Sequence, residues 1–183
     1  MTAGSAAPTR PPGDLMMWVL IASELAVFGA GMTAFMAVRI ADPEAFAAAR
    51  GQLHPIWAGI NTMALVTSGW LAALAVRHCE RGDLRPMRRC LAAAALLGVL
   101  FLAIKVHEYA GLAAAGASME GSAFFTFYYL LTGFHAAHVA AGIVVLALIA
   151  RWPGLRNAET GVAFWHMVDL VWVLLFPVLY LLP

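Results

Sequence analysis

The chain has 183 residues, of which 63% are hydrophobic and 11% charged, and its formal net charge at pH 7 is +1. An average soluble domain carries about 45–50% apolar and about 25% charged residues, and a domain of this size lacks the interior volume to bury so much apolar surface. The composition therefore excludes an ordinary soluble domain, a disordered chain and a nucleic-acid-binding protein.

Charged side chains are distributed unevenly along the chain. Five apolar blocks hold only four of the 11 basic and 10 acidic side chains, and each block reaches the roughly 20 residues needed to cross about 30 Å of hydrocarbon. Because lipid offers no partner for unpaired backbone groups, we predict an all-α integral membrane protein with five transmembrane helices. The blocks are residues 16–38, 55–76, 90–110, 124–150 and 161–182.

The segments outside the blocks predict the topology. Short connections predict that sequential helices are antiparallel neighbours in one compact bundle. Residues 1–12 contain three prolines and predict a flexible tail before a single membrane domain, 13–183. Eight arginines fall on one side and only Arg39 and Arg50 on the other, so the N-terminus is predicted inside and the C-terminus outside. The eight are Arg10, Arg77, Arg81, Arg85, Arg88, Arg89, Arg151 and Arg156.

The first two blocks contain one charge and one polar stripe. Glu24 lies in the cytoplasmic third of the first block, and we expect it to be buried and partly protonated. In the second block Asn61 shares a helical face with Ala64, Ser68 and Ala72. Small and weakly polar residues on one face favour close helix packing over a functional site.

The third block ends in a charged pair. Lys105 and Glu108 are three residues apart and can pair on one face of a helix. They lie near the outer end, where the lysine can also snorkel towards the headgroups. An internal ion pair that fixes the helix is the favoured interpretation, and a proton or ion relay is the alternative.

Histidines in the fourth block raise the question of a metal or haem. His135 and His138 are three residues apart, so they cannot bind opposite faces of one haem. A haem would need His138 together with His107 or His166, as in a membrane b-type cytochrome, and zinc or copper would need further ligands. Packed, hydrogen-bonded histidines are the favoured interpretation.

The fifth block places a histidine and an aspartate on one face. His166 and Asp169 can approach each other, and Trp165 and Trp172 flank the aspartate. An aspartate beside a histidine orients the ring or favours its charged form. The pattern predicts a polar clamp between helices, set in aromatic packing.

Several of these segments resemble haem–copper oxidase (cytochrome c oxidase) subunit III in sequence and in order. Residues 133–142 are similar to the family segment GFHxxHVxxG, and residues 164–172 to WHFVDVVW. Residues 121–125 resemble GSTFF, and the pairs Ser23-Glu24, Asn61-Thr62 and Glu108-Tyr109 resemble SE, NT and EY. The chain looks like the five-helix form, without the first two helices of seven-helix members. The lysine in Ile104–Tyr109 makes it most similar to the NorE-type accessory protein of nitric oxide reductase.

The resemblance implies a non-catalytic subunit or accessory protein in a respiratory electron transport chain, either aerobic or denitrifying, in the bacterial cytoplasmic membrane. Its expected partner is a catalytic subunit that carries haem and copper or non-haem iron, which this chain would stabilise while supporting proton uptake. The chain itself is expected to bind no haem or metal, to contact membrane lipids and phospholipid, and to bind no nucleic acid. An independent proton or ion transporter that uses Glu24, Lys105, Glu108 and Asp169 is the alternative.

Overall fold

The computed structural model describes residues 15–182, and the tail predicted for residues 1–12 lies outside them. The described chain forms six α-helices and a final π-helical turn, and no β-strand occurs within this range. Five helical segments are long and apolar enough to cross a membrane, which confirms the predicted integral membrane helical bundle. The elements are α1 (Leu15–Ala41), α2 (Pro43–Arg50), α3 (Pro55–Glu80), α4 (Leu84–Ala114), α5 (Ala123–Arg151), α6 (Leu155–Phe176) and the π-helical turn Pro177–Leu181.

Four spans form a closed ring, and the fifth lies outside it. The helices α3, α4, α5 and α6 each pack against two neighbours in the ring, whereas α1 packs against α5 and α6. The expectation that sequential spans are always neighbours is therefore wrong for α1 and α3. The physical reason is the connection between them, which contains α2 and residues 51–54 and is long enough to carry the chain across the end of the bundle.

The short helix α2 was not predicted. Asp42 accepts a hydrogen bond from the Ala45 amide at 3.2 Å, and Pro43 occupies the first helical position, where its missing N–H costs nothing. Phe46 is buried between Phe35 and Phe124. The guanidinium of Arg50 donates a hydrogen bond to the carbonyl oxygen of Leu182 at 2.6 Å, which ties α2 to the chain beyond the last span. We call this side of the bundle the α2 end and the other side the arginine-rich end.

The helices extend beyond the apolar blocks, most clearly at the arginine-rich end. The helix α4 begins at Leu84 rather than near residue 90, and α3 continues to Glu80. The tight turn between them has Gly82 at φ 78°, a conformation that favours glycine. Hydropathy marks the segment immersed in lipid, whereas a helix continues until its backbone meets a turn or a cap.

Candidate functional site

The buried charge of α4 is held in a polar cluster near the α2 end. The Nζ atom of Lys105 lies 2.8 Å from Glu108 Oε2 and 2.9 Å from the hydroxyl oxygens of both Tyr128 and Tyr180. An ammonium group has three donors, so these three partners satisfy it completely. The Tyr180 hydroxyl also lies 3.0 Å from Glu108 Oε1. The cluster therefore joins α4, α5 and the π-helical turn.

Aromatic rings enclose the same ammonium group. Its distances to the ring centroids of Tyr109, Tyr128 and Trp172 lie between 4.8 and 5.4 Å, in the range of cation–π interactions. Lys105 is only 1% exposed. The expectation that this lysine snorkels is therefore wrong, because its charge is fully compensated inside the bundle. The predicted pairing of Lys105 with Glu108 is present.

Glu24 connects α1 to α5 through His138. Its Oε2 atom lies 3.2 Å from His138 Nε2, and the two side chains are 20% and 17% exposed. The other ring nitrogen, Nδ1, lies 2.8 Å from the carbonyl oxygen of Phe134 and donates to it. Glu24 is only partly buried, which corrects the expectation of full burial.

His135 is buried in an aromatic environment, one helical turn from His138. Its ring stacks on Trp172 with centroids 5.2 Å apart, and it forms a T-shaped contact with Phe101 with centroids 5.4 Å apart. Within the described chain neither ring nitrogen has a hydrogen-bond partner. The favoured interpretation of a packed histidine agrees with this environment, but its expected hydrogen bond is not present.

The two tryptophans of α6 donate hydrogen bonds to α3. Trp165 donates from its indole nitrogen to Ser68 Oγ at 3.0 Å, and the Ser68 hydroxyl in turn donates to the carbonyl oxygen of Ala94 on α4. Trp172 donates to Thr62 Oγ1, also at 3.0 Å. Asn61 is fully buried and donates to the carbonyl oxygen of Phe101 at 3.4 Å. The polar stripe of α3 thus forms contacts to α4 and α6.

His166 and Asp169 do not form the predicted clamp. Asp169 is buried, but His166 is 46% exposed, and its Nδ1 atom lies 3.9 Å from Asp169 Oδ2, too far for a hydrogen bond. The expectation that His166 is buried is wrong, because its ring lies at the exposed edge of the contact between α3 and α6. Both carboxylate oxygens of Asp169 are without hydrogen-bond partners in the described chain.

No metal or haem site is evident from these positions. Within residues 15–182 no group of three or more His, Cys, Asp or Glu side chains is arranged to hold a metal ion. His138, the shared member of both proposed haem pairs, already contacts Glu24 and the Phe134 carbonyl oxygen. Its two possible partners, His107 and His166, are exposed.

Three partners of the polar contacts were missed from the sequence: Tyr128, Tyr180 and Thr62. Tyr128 lies one turn before Thr132 on α5, but tyrosines near a helix end are equally typical of the membrane interface. Tyr180 reaches the cluster through the π-helical turn that begins at Pro177, which no spacing rule predicts. The one signal in the sequence was Lys105 itself, because a buried ammonium group has three hydrogen-bond donors and Glu108 alone does not satisfy them.

Comparison with known proteins gives one consistent family. The family model described as "Cytochrome c oxidase subunit III" matches residues 15–182. The chain is 33% identical over 177 residues to "Cytochrome c oxidase subunit 3" of Thermostichus vulcanus, covering 92% of this chain and 86% of that protein. A protein of the same name from Synechocystis sp. is 28% identical over 99% of this chain and 82% of its own length.

Relatives from Corynebacterium and Mycobacterium match over a shorter part of this chain. "Cytochrome c oxidase subunit 3" of Corynebacterium diphtheriae is 35% identical over 136 residues, covering 70% of this chain and 66% of that protein. The match to the relatives from Mycobacterium covers 63% of their length, less than two thirds. Subunit III is a non-catalytic subunit of the haem–copper oxidase and has no metal centre of its own. The sequence match and the five-span bundle together show that this chain belongs to the cytochrome c oxidase subunit III family.

Proposed function

We propose that this chain binds the haem-bearing catalytic subunit of a cytochrome c oxidase and stabilises it in the bacterial cytoplasmic membrane. The observation that carries the proposal is the family match, which extends over the whole described chain, residues 15–182. The geometry supports it, because Lys105 and Glu24 both form contacts between different helical elements. Such a protein acts by packing against a partner.

Purification in mild detergent tests this proposal. A tagged chain should retain a larger haem-bearing subunit, identified by mass spectrometry and by a Soret absorption band. The same chain expressed alone should purify without a Soret band. A chain that binds haem by itself, or that retains no haem-bearing subunit from its own host, would contradict the proposal.

The stabilising role has a separate test. Oxidase prepared without this chain should take up protons more slowly and lose activity after fewer turnovers than the complete complex. Adding the purified chain back should restore both properties. Equal proton uptake and equal durability with and without the chain would contradict the supporting role. The proposal that the chain binds the catalytic subunit would not be affected by that result.

A nitric oxide reductase is the second candidate partner. The observation that favours it is Lys105, which departs from the oxidase pattern in Ile104–Tyr109 and is fully integrated into the bundle through three hydrogen bonds. Co-expression with each type of catalytic subunit separates the two candidates. The true partner should co-purify in stoichiometric amount and the other should not.

An independent transporter remains the alternative of a different class. The four charges lie in separate contacts: Glu24 with His138, Lys105 with Glu108, and Asp169 beside His166. Liposomes containing only this chain should show no proton or ion flux above that of empty liposomes. Clear flux would favour the transporter.

Lipid contact is the last part of the proposal. An apolar cavity of about 580 Å³ lies between α1, α5 and α6 at the arginine-rich end. Leu20, Val145, Phe164 and Arg156 are among the residues that line it. Native mass spectrometry of the chain should detect retained phospholipid, and Arg156→Gln should reduce it. Equal retention by the variant would contradict this assignment.

A further inference from the structure

The lipid-facing surface of α6 contains a polar residue at mid-membrane depth. His166, Leu170 and Val173 are exposed and follow one another at helical spacing, so they form one stripe. Val168 is the midpoint of the span Leu155–Leu181, which places the imidazole near the centre of the bilayer. Hydrocarbon offers no hydrogen-bond partner at that depth, and polar residues there normally face protein.

Three exposed hydroxyl groups in the spans find acceptors within their own helices. The hydroxyls of Ser23, Thr33 and Thr67 each donate to a carbonyl oxygen of their own helix at 2.7–2.8 Å. The exposed middle of α4 is apolar and contains Leu96 and Val99. Lipid is an adequate neighbour for these surfaces. His166 differs from them, because it makes no hydrogen bond within residues 15–182 and its nearest carboxylate oxygen, on Asp169, is 3.9 Å away.

A second unpartnered group lies directly beneath His166. Asp169 is 7% exposed, and neither of its carboxylate oxygens accepts a hydrogen bond in the described chain. Gly69 of α3 makes room for both side chains. A Cβ atom at this position would collide with Asp169 Oδ2 and come within 3.3 Å of His166 Nδ1. Glycine thus allows an acid and an imidazole to lie together at a surface between α3 and α6.

We propose that this surface, formed by Gly69, His166, Asp169, Leu170 and Val173 and here called the α6 polar face, binds a transmembrane helix of the catalytic subunit. The inference rests on the proposed function and names the surface through which it acts. A shift of about 1 Å would bring His166 Nδ1–H into hydrogen-bonding distance of Asp169. The ring would then present Nε2 outward as an acceptor.

The partner's chemistry follows from that arrangement. With the proton on Nδ1, the group that matches His166 on a helix covering the α6 polar face is a hydrogen-bond donor, such as a hydroxyl, amide or indole N–H, at the same depth. Polar hydrogen bonds and closely packed small residues are the interactions that associate helices in lipid. Leu170 and Val173 lie on the same stripe as His166 and offer that helix an apolar contact surface.

Site-specific photo-crosslinking tests the assignment in the intact complex. A photoreactive amino acid replaces Leu170 or Val173, and the matched controls replace Leu96 or Val99 on the apolar face of α4. The α6 positions should form adducts with the haem-bearing subunit and the α4 positions should not. Adducts from α4 alone, or adducts between two copies of this chain from α6, would overturn the proposal. If no haem-bearing subunit co-purifies with the wild-type chain, the proposed function fails as well.

Substitution of His166 gives an independent test. His166→Leu should lower the amount of co-purified catalytic subunit about fivefold, the effect of losing one interhelical hydrogen bond of ordinary strength. His166→Gln keeps an acceptor and should restore much of that binding. The thermal stability of the isolated chain should not change in either variant, since the side chain is exposed. Wild-type co-purification of His166→Leu would overturn the proposal.

Discussion

At the scale of single residues, the buried lysine is the strongest constraint in the molecule. A charge inside a membrane protein is costly unless its whole hydrogen-bonding capacity is used. Lys105 meets this condition with one carboxylate and two tyrosine hydroxyls. Removing one member of such a buried pair leaves the other charge uncompensated, whereas removing both does not.

This asymmetry gives the first prediction. Lys105→Met should lower the free energy of unfolding by about 3 kcal/mol, because Glu108 is left buried without its cation. The double variant Lys105→Met/Glu108→Leu should be more stable than the single variant. Unfolding of the purified variants in mixed detergent micelles measures both free energies of unfolding.

The neighbouring Val106 supplies the control for that experiment. Its side chain is exposed on the same helix, so Val106→Met should leave the free energy of unfolding within about 0.5 kcal/mol of wild type. The loss of stability in Lys105→Met/Glu108→Leu should be smaller than the summed losses of Lys105→Met and Glu108→Leu measured separately. A loss equal to that sum would show that Lys105 and Glu108 do not compensate each other.

The contact between Glu24 and His138 gives the second prediction. With Nδ1–H donated to Phe134, the Nε2 atom faces the Glu24 carboxyl group at 3.2 Å. Glu24→Gln can supply an amide N–H and should remain within about 0.5 kcal/mol of wild type, whereas Glu24→Ala should lose about 1 kcal/mol. Chemical or thermal unfolding measures the difference, and Ser23→Ala is the matched surface control. Equal destabilisation by Gln and Ala would show that the polar contact between residue 24 and His138 does not stabilise the chain.

At the scale of elements, glycines set how closely the helices of the ring approach. Trp165 of α6 lies against Gly98 of α4 and Gly142 of α5. A Cβ atom at residue 142 would lie 2.5 Å from the indole ring, so the rigid ring or the helix would have to move. At Gly133, on the same helix, an added Cβ atom would have no neighbouring atom within 4 Å.

The third prediction follows from this difference. Gly142→Ala should destabilise the chain by about 1–3 kcal/mol through overpacking, whereas Gly133→Ala should be neutral or slightly stabilising. Thermal unfolding of both variants in one detergent gives the comparison. If Gly142→Ala and Gly133→Ala had equal melting temperatures, α5 and α6 could move apart at residue 142 without loss of stability.

Sequence reasoning located the spans but not all of their neighbours. Runs of apolar residues identify the five membrane-crossing segments, because the thickness of the hydrocarbon fixes their length. The helix α2 was not predicted, because it lies outside these apolar runs and its first turn depends on the N-cap at Asp42. The position of α1 beside α5 and α6 depends on packing across the bundle, including Leu131 against Gly31, which no local pattern contains.

The candidate site shows the same division between local and distant contacts. The pair Lys105–Glu108 was predictable because three residues is nearly one helical turn. The participation of Tyr180 was not, because it lies 75 residues from Lys105 and reaches it through a π-helical turn. His166 and Asp169 have the same spacing as the lysine pair, yet only side-chain directions show that they remain 3.9 Å apart.

At the scale of the whole molecule, the distribution of arginines is asymmetric between the two ends. The connections α3–α4 and α5–α6 lie at the arginine-rich end, whereas Arg39 and Arg50 lie at the α2 end. Basic residues close to the ends of spans are retained in the cytoplasm during insertion. We therefore expect the α2 end, with the Lys105 cluster near it, to face the outside of the cytoplasmic membrane.

Cysteine labelling tests this orientation directly. In a background without Cys79 and Cys90, a membrane-impermeant thiol reagent should label Glu120→Cys on intact spheroplasts, because residue 120 is exposed in the α4–α5 connection at the α2 end. Asp83→Cys, exposed between α3 and α4, should be labelled only after the membrane is permeabilised. The reversed pattern would show that the arginine-rich end faces outward. In that case the charge asymmetry would not determine the orientation of this chain, and the orientation would have to be set by contact with its partner during assembly.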